Sequence, residues 1–470
     1  PKTVATTAKD ALIYSLSEKG RVDINFMATL RSQPSQIIIE ELQKENLIYL
    51  EPQANQWITQ DEYLSGDVRS KLEIARGAVQ TNPELIVNVE ALEKVQPPDL
   101  LPGDIYARLG SPWIPSQDIA NFIAQTLNVS FEDVHVYHYK STATWEIEVS
   151  KNLIISQNNC QIYGTTRVMA HELIELALNL RVPVVRDKIE DQYVENSEAT
   201  RIAQSKQENL KELFKRWIWS DLARAERLTK IYNQQYNSLR ARVFDGSHLE
   251  FPLMNPEWRS KLRPHQLNAI WRIVASGNTL IGHAVGAGKT SVAIAASQEL
   301  KRLGISYKPC LVVMDHLPEQ MASEAIQMYP QMCLLIAGSA EMEAKKRREL
   351  ASRIATGDWD LIIISHTAFS KLSLHPDTIS QFLKEESQMV EADYLAAKSN
   401  GQRTKRVMKN LEKKLARLEE NIDAVANAET KDNTVFFDEL GIDWIFYDES
   451  QQVKNLELNT KLNRVLGIPS

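Results

Sequence analysis

The chain has 470 residues, 43 % hydrophobic and 24 % charged, with a formal net charge of −7. That length suggests about three domains, the absence of a long apolar run excludes a membrane-spanning helix, and an acidic chain attracts nucleic acid only through local patches. Three scattered cysteines, Cys160, Cys310 and Cys333, with no CxxC pair argue for a reducing, cytoplasmic setting and against zinc ribbons.

The chain begins at Pro1 without a signal-peptide pattern and reads as a piece of something longer. Residues 5–60 predict three short helices and a hairpin. The first helix carries Ala11, Leu12, Tyr14 and Leu16 and ends at Gly20; the second carries Phe26, Met27 and Leu30. Pro34 opens a third, whose apolar side is Ile37, Ile38, Ile39 and Leu42. Two β-like runs follow, Leu47–Leu50 and Gln56–Thr59, around a turn holding Pro52. Three helices and a two-stranded wing suggest a winged helix. It could contact DNA through the third helix or serve as a protein-packing domain. Glu40, Glu41 and Glu45 against Lys44 suit phosphate poorly and favour packing.

Residues 61–115 read as helix and then a proline-rich loop, and 116–190 as a mixed α/β module. The runs Val134–Tyr139 and Thr144–Val149 are β-rich, and Thr165–Leu180 predicts one helix. That helix contains His171-Glu-Leu-Ile-Glu175. A zinc protease needs a second histidine where this chain has Glu175, so that reading is rejected. His135 and His138 read as strand residues without metal partners. Between Arg201 and Arg242 there are ten Lys/Arg against four Asp/Glu, interleaved with Trp217, Trp219, Tyr232 and Tyr236. Such a pattern can track a nucleic-acid backbone, or it can be a helix burying its aromatics under a solvated basic face.

The chemistry concentrates after residue 250. Thr279–Ile281 reads as a strand leading into His283-Ala-Val-Gly286-Ala-Gly288-Lys289-Thr290. Glycines let successive N–H groups close around an anion, and the following helix aims its N-terminal dipole there. Lys289 can reach phosphate oxygens and Thr290 can offer a hydroxyl to Mg²⁺. The generic pattern has glycine where this chain has His283. Cys310–Met314, Leu361–Ile364 and Trp444–Tyr447 are short apolar strands, the last ending in Asp448-Glu449. An acid pair at a strand's C-terminal edge is the Walker B arrangement, one acid for the metal and one for the attacking water.

These segments carry a family resemblance. Leu262-Arg-Pro-His-Gln266 resembles the adenine-sensing Q motif of superfamily-2 helicases of the Swi/Snf type, and Asp448-Glu-Ser-Gln-Gln-Val-Lys-Asn455 looks like their DEAH box, with Gln451 in place of histidine. More closely, the stretch is similar to the helicase half of phage and plasmid methylase–helicase fusion proteins of the antirestriction type. Asp61–Arg69, Arg108–Ile114, Trp217-Ile-Trp219, Asp245–Leu249 and Ala355–Asp360 look like segments of that group. The resemblance implies that Gln266 contacts adenine, that Gly286, Gly288, Lys289 and Thr290 bind the phosphates of ATP, and that Thr290 and Asp448 hold Mg²⁺. It implies that Lys289, Asp448 and Glu449 form the catalytic set, with Glu449 activating water. Segments 311–320 and 362–369 match DNA-facing motifs, which marks His316, Ser365, His366 and the trailing Lys454 as DNA contacts, with double-stranded DNA as the track. The adenine-methylase motif of those fusions is missing, since Gln96-Pro-Pro-Asp99 does not fit it, so no methyl transfer is expected. A second lobe with its arginine finger is expected outside these residues, so this segment alone would hydrolyse ATP poorly.

Between the last two apolar strands, residues 376–428 predict a helical hairpin inserted in the ATPase lobe. Val407, Leu411, Leu415, Leu418 and Ile422 form one apolar stripe. Arg403, Lys405, Arg406, Lys409, Lys413 and Lys414 could form a basic face, which leaves a brace or a DNA clamp open. The expected architecture is α/β: a winged-helix-like domain at 1–75, a mixed α/β and helical accessory domain at 76–245, and an incomplete first RecA-like lobe at 246–470. The leading functional expectation is a fragment of an ATP-dependent DNA translocase. The alternatives are a nucleotide-sensing module, or a docking platform, for a partner DNA methylase.

Overall fold

The computed structural model describes residues 5–139, 144–189, 192–338, 344–399, 405–426 and 436–453. They fall into two compact units. One gathers the described residues of 1–97, 238–378 and 429–452; the other gathers those of 98–237 and 379–428, with Val453. The unit boundaries therefore follow contacts across the chain, not consecutive blocks.

The first unit opens with helices α1 (Ala8–Lys19), α2 (Ile24–Arg31) and α3 (Ser35–Lys44). Thr7 and Asp10 cap α1 reciprocally, each side chain accepting the other's backbone N–H at 3.0 Å. Gly20 closes it in the left-handed region at φ 68°. Strands β1 (Ile48–Glu51) and β2 (Gln56–Thr59) pair antiparallel, with Ile48 opposite Thr59. Ala11, Leu12, Met27, Ile38, Leu42 and Ile48 bury one small core. Helices α4 (Val68–Val79) and α5 (Ile86–Lys94) build a second core with Tyr49 and Tyr63, whose rings stack at 5.1 Å.

In the second unit, α6 (Ser116–Leu127), strands β3 (Val134–Tyr139) and β4 (Thr144–Val149), α7 (Ala170–Leu178), α8 (Ser197–Trp217) and α9 (Leu222–Tyr236) surround one large core. The helix expected over 165–180 is shorter, because Thr165 and Glu172 compete for the backbone ahead of it. The Thr165 hydroxyl accepts the Val168 N–H at 2.9 Å, and the Glu172 carboxylate accepts that of Met169 at 2.8 Å. Helix α7 is fastened to β4 by side chains. Glu175 accepts the Ile147 N–H at 3.1 Å, while Asn179 accepts from the Trp145 N–H at 3.0 Å and donates to the Trp145 carbonyl at 2.8 Å. Glu175 thus acts as a strut. His171 meets Asn159 at 3.1 Å, and burial pushes its pKa down. His138 stacks on Trp145 at 4.0 Å. No metal-binding cluster occurs among the described residues.

The remainder of the first unit is a layered lobe. Strands β5 (Pro309–Val313), β6 (Leu334–Ala337), β7 (Leu361–Ser365) and β8 (Trp444–Tyr447) are all parallel, in the order β6-β7-β5-β8. The two-residue period of a strand divides them cleanly. Leu311, Val313, Leu361 and Ile363 face a core shared with α10 (Pro264–Ser276), α11 (Lys289–Arg302) and α12 (Pro318–Met328). Cys310, Val312, Ile362 and Ile364 face the opposite core, with Leu350 and Ile354 of α13 (Ala344–Thr356). Both faces are covered, as a parallel sheet requires. The strand expected at 279–281 is not formed among the described residues; β8 ends the sheet, and the 279–281 segment has no ladder partner.

Arg302 at the end of α11 pairs with Glu299 at 2.7 Å and also donates to the Ser17 carbonyl near the end of α1. Glu299 is only 2 % exposed. Gly20 brings α1 close enough that a Cβ there would meet the Leu303 side chain at 3.4 Å.

Helices α14 (Pro376–Ser399) and α15 (Lys405–Ala426) stand where the hairpin was expected. Val390, Leu411 and Leu418 pack around Tyr139, so the insertion belongs with the second unit. Lys414 is paired with Glu386 at 3.1 Å. The side chains of Arg403, Lys405, Arg406 and Val407 lie outside the described residues. No described helix is long and apolar enough to cross a membrane.

Replacing Glu175 with Ala strands the Ile147 N–H, and the expected cost is about 1–3 kcal/mol. Urea unfolding should show that loss, with Glu175→Gln, which keeps an acceptor, losing less.

Candidate functional site

A parallel sheet sends every strand to finish on the same edge, and on that edge loops can converge. A cleft of about 1050 Å³ runs along the outer strand β8, from Ile442 to Gln451, and reaches that edge. Lys289 and Thr290 line it from the start of α11, and Asp448 and Glu449 line it from the end of β8. Four residues expected to act together from two distant stretches of sequence therefore share one cavity. Its remaining wall is largely apolar, with Leu280, Ile281, Val313, Trp444 and Ile445.

The glycine-rich loop has the backbone its sequence demands. Gly286 and Gly288 lie in the left-handed region, at φ 80° and 77°. Gly288 caps α11, so the chain turns there and the first helical N–H groups are left for an outside acceptor. Lys289 folds back over the loop, its Nζ donating to the carbonyls of His283 at 3.1 Å and Ala284 at 3.4 Å. Neutral oxygens hold that ammonium, and phosphate oxygens would hold it more strongly. Gln266 is buried behind the loop. Its Oε1 accepts the Arg263 N–H at 2.9 Å, and its Nε2 donates to the Gly288 carbonyl at 3.2 Å. A Cβ at 288 would sit 2.4 Å from that Nε2.

The acidic turn is held as closely. The Asp448 N–H donates to Val312 at 2.9 Å, which prolongs the β5–β8 ladder. Its carbonyl accepts from His366 Nε2 at 3.0 Å, and His366 stacks on Tyr447 at 4.8 Å. Glu449 takes φ 55°, a conformation that side-chain-bearing residues rarely adopt. Such backbone costs of order 1–3 kcal/mol and clusters at functional sites. The Glu449 carboxylate accepts from the amide of Gln451.

The residues expected to meet DNA separate into three groups. Ser365 is fully buried and caps the short helix His366–Phe369, its hydroxyl accepting the Ala368 N–H at 3.2 Å. His366 is 9 % exposed and is committed to the acidic turn. Both are spent on packing within the lobe, because they sit where β7 ends beneath the loop and not on its tip. His316 is exposed, and Lys454 lies outside the described residues. Beside His316, Asp315 accepts the Thr367 N–H at 3.0 Å and its hydroxyl at 2.5 Å, and these two bonds hold its carboxyl below the usual range. Spacing gave no sign of this pair, which joins two loops far apart in sequence.

The basic, aromatic stretch is also largely absorbed by its own fold. The Arg224 guanidinium lies 3.6 Å from the Trp217 ring centroid, and Arg227 pairs with Asp118 at 2.5 Å. Lys211 pairs with Glu208, and Lys215 with Glu212. Trp217, Trp219 and Tyr232 pack against the core. Of the two readings of this stretch, these contacts favour the solvated helix with buried aromatics.

Residues 271–470 match a family model described as a probable helicase domain. Residues 4–58 match one described as a probable helicase, winged helix domain. Residues 108–238 match a domain of unknown function. No curated protein and no solved structure matches the chain. The chain is therefore helicase-like over its N-terminal helices and wing and over the lobe that carries the cleft.

Gly288→Ala should distort the loop. The left-handed backbone alone costs about 1–2 kcal/mol, and the Gln266 contact adds to it. A melt should show the loss, and Gly282→Ala, where a Cβ meets nothing within 4 Å, should not.

Proposed function

We propose that this chain is the nucleotide-binding part of an ATP-driven DNA translocase, with the parallel-sheet lobe as its first RecA-like lobe. The observation that carries the proposal is the shared cleft: Lys289, Thr290, Asp448 and Glu449 line one cavity, which runs along β8 to the C-terminal edge of the sheet. The loop N–H groups and the α11 dipole suit the triphosphate of ATP. On its arrival Lys289 exchanges the carbonyls of His283 and Ala284 for phosphate oxygens. Thr290 and Asp448 are the donors that would hold Mg²⁺, a hydroxyl and a carboxylate being the hard oxygen ligands that ion takes. When bound, Mg²⁺ supplies neutralisation of phosphate charge. Glu449 orients the attacking water and takes its proton.

Double-stranded DNA is the proposed track. The winged-helix match and the exposed loop at His316, on the same sheet edge as the acidic turn, support it. His366 links that edge to the cleft, because it follows β7 and bonds the carbonyl of Asp448. Methylase–helicase fusion proteins of the antirestriction type remain the proposed relatives, with a DNA methylase as the proposed partner.

One observation favours a second reading, a module that binds nucleotide without turning it over. The Glu449 carboxylate is engaged by Gln451 on a left-handed backbone, so it must be released before it can serve as a base.

Two variants separate these readings. Lys289→Ala should abolish ATP uptake, measured by titration calorimetry. Glu449→Gln should keep uptake and lower DNA-stimulated hydrolysis by about a hundred-fold or more. Undiminished uptake in Lys289→Ala removes the cleft from the proposal, and equal turnover in Glu449→Gln and the parent chain leaves only the binding module.

A further inference from the structure

The acidic turn carries a backbone donor as well as its two carboxylates. Asp448 turns its own backbone groups toward the interior of the sheet: its N–H donates to Val312 of β5 at 2.9 Å, and its carbonyl accepts from His366 Nε2 at 3.0 Å. The peptide that follows is trans, so the next N–H points opposite to that carbonyl. The N–H of Glu449 therefore faces the unpaired side of β8, along which the cleft runs. It has no hydrogen-bond partner among the described residues.

This peptide does not lie in its relaxed orientation. It leaves Glu449 at φ 55°, where a side chain is disfavoured. Turning the one peptide over, by about 180°, would bring φ to about −125°, inside the broad β region. The same turn would aim the Asp448 carbonyl into the cleft and withdraw the Glu449 N–H from it. A hydrogen bond to that carbonyl opposes the turn, and His366 supplies one.

The imidazole is fixed for this bond. It is buried, and it stacks on Tyr447 at 4.8 Å and 15°, which sets its depth and tilt. A carbonyl can only accept, so Nε2 carries the proton and Nδ1 keeps its lone pair. Nδ1 is buried without a hydrogen-bond partner among the described residues, so the ring holds the Asp448 bond and forgoes a second. The backbone beneath the ring is pinned in turn, because Thr367 gives both its N–H and its hydroxyl to Asp315.

We infer that His366 is a positioning residue: it locks the 448–449 peptide and so presents the Glu449 N–H to the cleft, as a donor for an oxygen of the terminal phosphate. This rests on the proposed nucleotide site and adds a donor to it. Glu449 is the acid proposed to orient the attacking water, and that water attacks the terminal phosphate. A donor on the backbone of the same residue serves that phosphate and not the other two. Two carboxylates alone would repel it, whereas a fixed amide N–H stabilises its charge without reorganising.

The test compares ATP with ADP, each with Mg²⁺, in calorimetric titrations of the full chain. His366→Phe keeps a ring against Tyr447 and removes the donor. It should weaken ATP by about ten-fold, the size of one hydrogen bond to a charged group, and leave ADP within about two-fold. His366→Gln, whose amide N–H replaces that of the imidazole, should bring ATP back to within about three-fold of the parent chain. A crystal structure of His366→Phe should show the 448–449 peptide turned over and Glu449 at negative φ. The inference is overturned if His366→Phe binds ATP as the parent chain does, if it loses ATP and ADP alike, or if His366→Gln is as weak as His366→Phe. An unchanged 448–449 peptide in the His366→Phe crystal overturns it as well. A parent chain that takes up neither nucleotide, or binds both no better than Lys289→Ala does, sinks the nucleotide site instead.

Discussion

Parallel strands cannot choose where they end. Once β5, β7 and β8 are hydrogen-bonded side by side in one direction, Asp315, His366 and Asp448 must emerge together at one edge. Everything chemical in the lobe depends on that constraint. It sets an acidic turn from the last strand against a glycine loop that precedes the first, and it places the Asp315–Thr367 pair on the same rim. Burial of both sheet faces makes the arrangement stiff, since alternate residues of β5 and β7 belong to separate cores.

Within that frame, the loop and the turn are held by different means. Gln266 clamps the loop from behind, through the carbonyl of Gly288, the residue that caps α11. The turn is held by His366 from the end of β7, two strands away, and by a ladder bond to Val312 of the adjacent β5. Strain enters the turn at Glu449, where the backbone is left-handed. A rigid surround with one strained acid is an arrangement in which local rearrangement is confined to a single side chain and its Gln451 partner.

Much of this was legible in the sequence, for identifiable reasons. Local rules located α1 by its Thr7 cap and Gly20 stop, and strict apolar runs located β5, β7 and β8. The glycine pattern and the acid pair carry chemistry that few other residues can supply, so their meeting in one cleft followed from residue types. Other features were not legible because they depend on neighbours far along the chain. Thr279–Ile281 has the composition of a strand and no partner to pair with. Ser365 and His366 have the polarity of ligand contacts, yet their depth beneath the β7 loop turns them inward. Glu175 sits where a metal ligand would, but only the approach of β4 reveals that it serves Ile147. The basic stretch at 201–242 counts as positive in one dimension, whereas in three Lys211, Lys215, Arg227 and Arg224 are answered by Glu208, Glu212, Asp118 and Trp217. Insertion of α14 and α15 was predictable; their allegiance to Tyr139 was not.

Helix α11 has two ends with two different attachments. Its first residue is Lys289; its last is Arg302, bound to Glu299 and to the carbonyl of Ser17. At 14 residues it is a rod about 21 Å long. Its far end meets α1 through the Arg302–Ser17 bond. The amino-terminal helices and the glycine loop are thus joined through one rigid element.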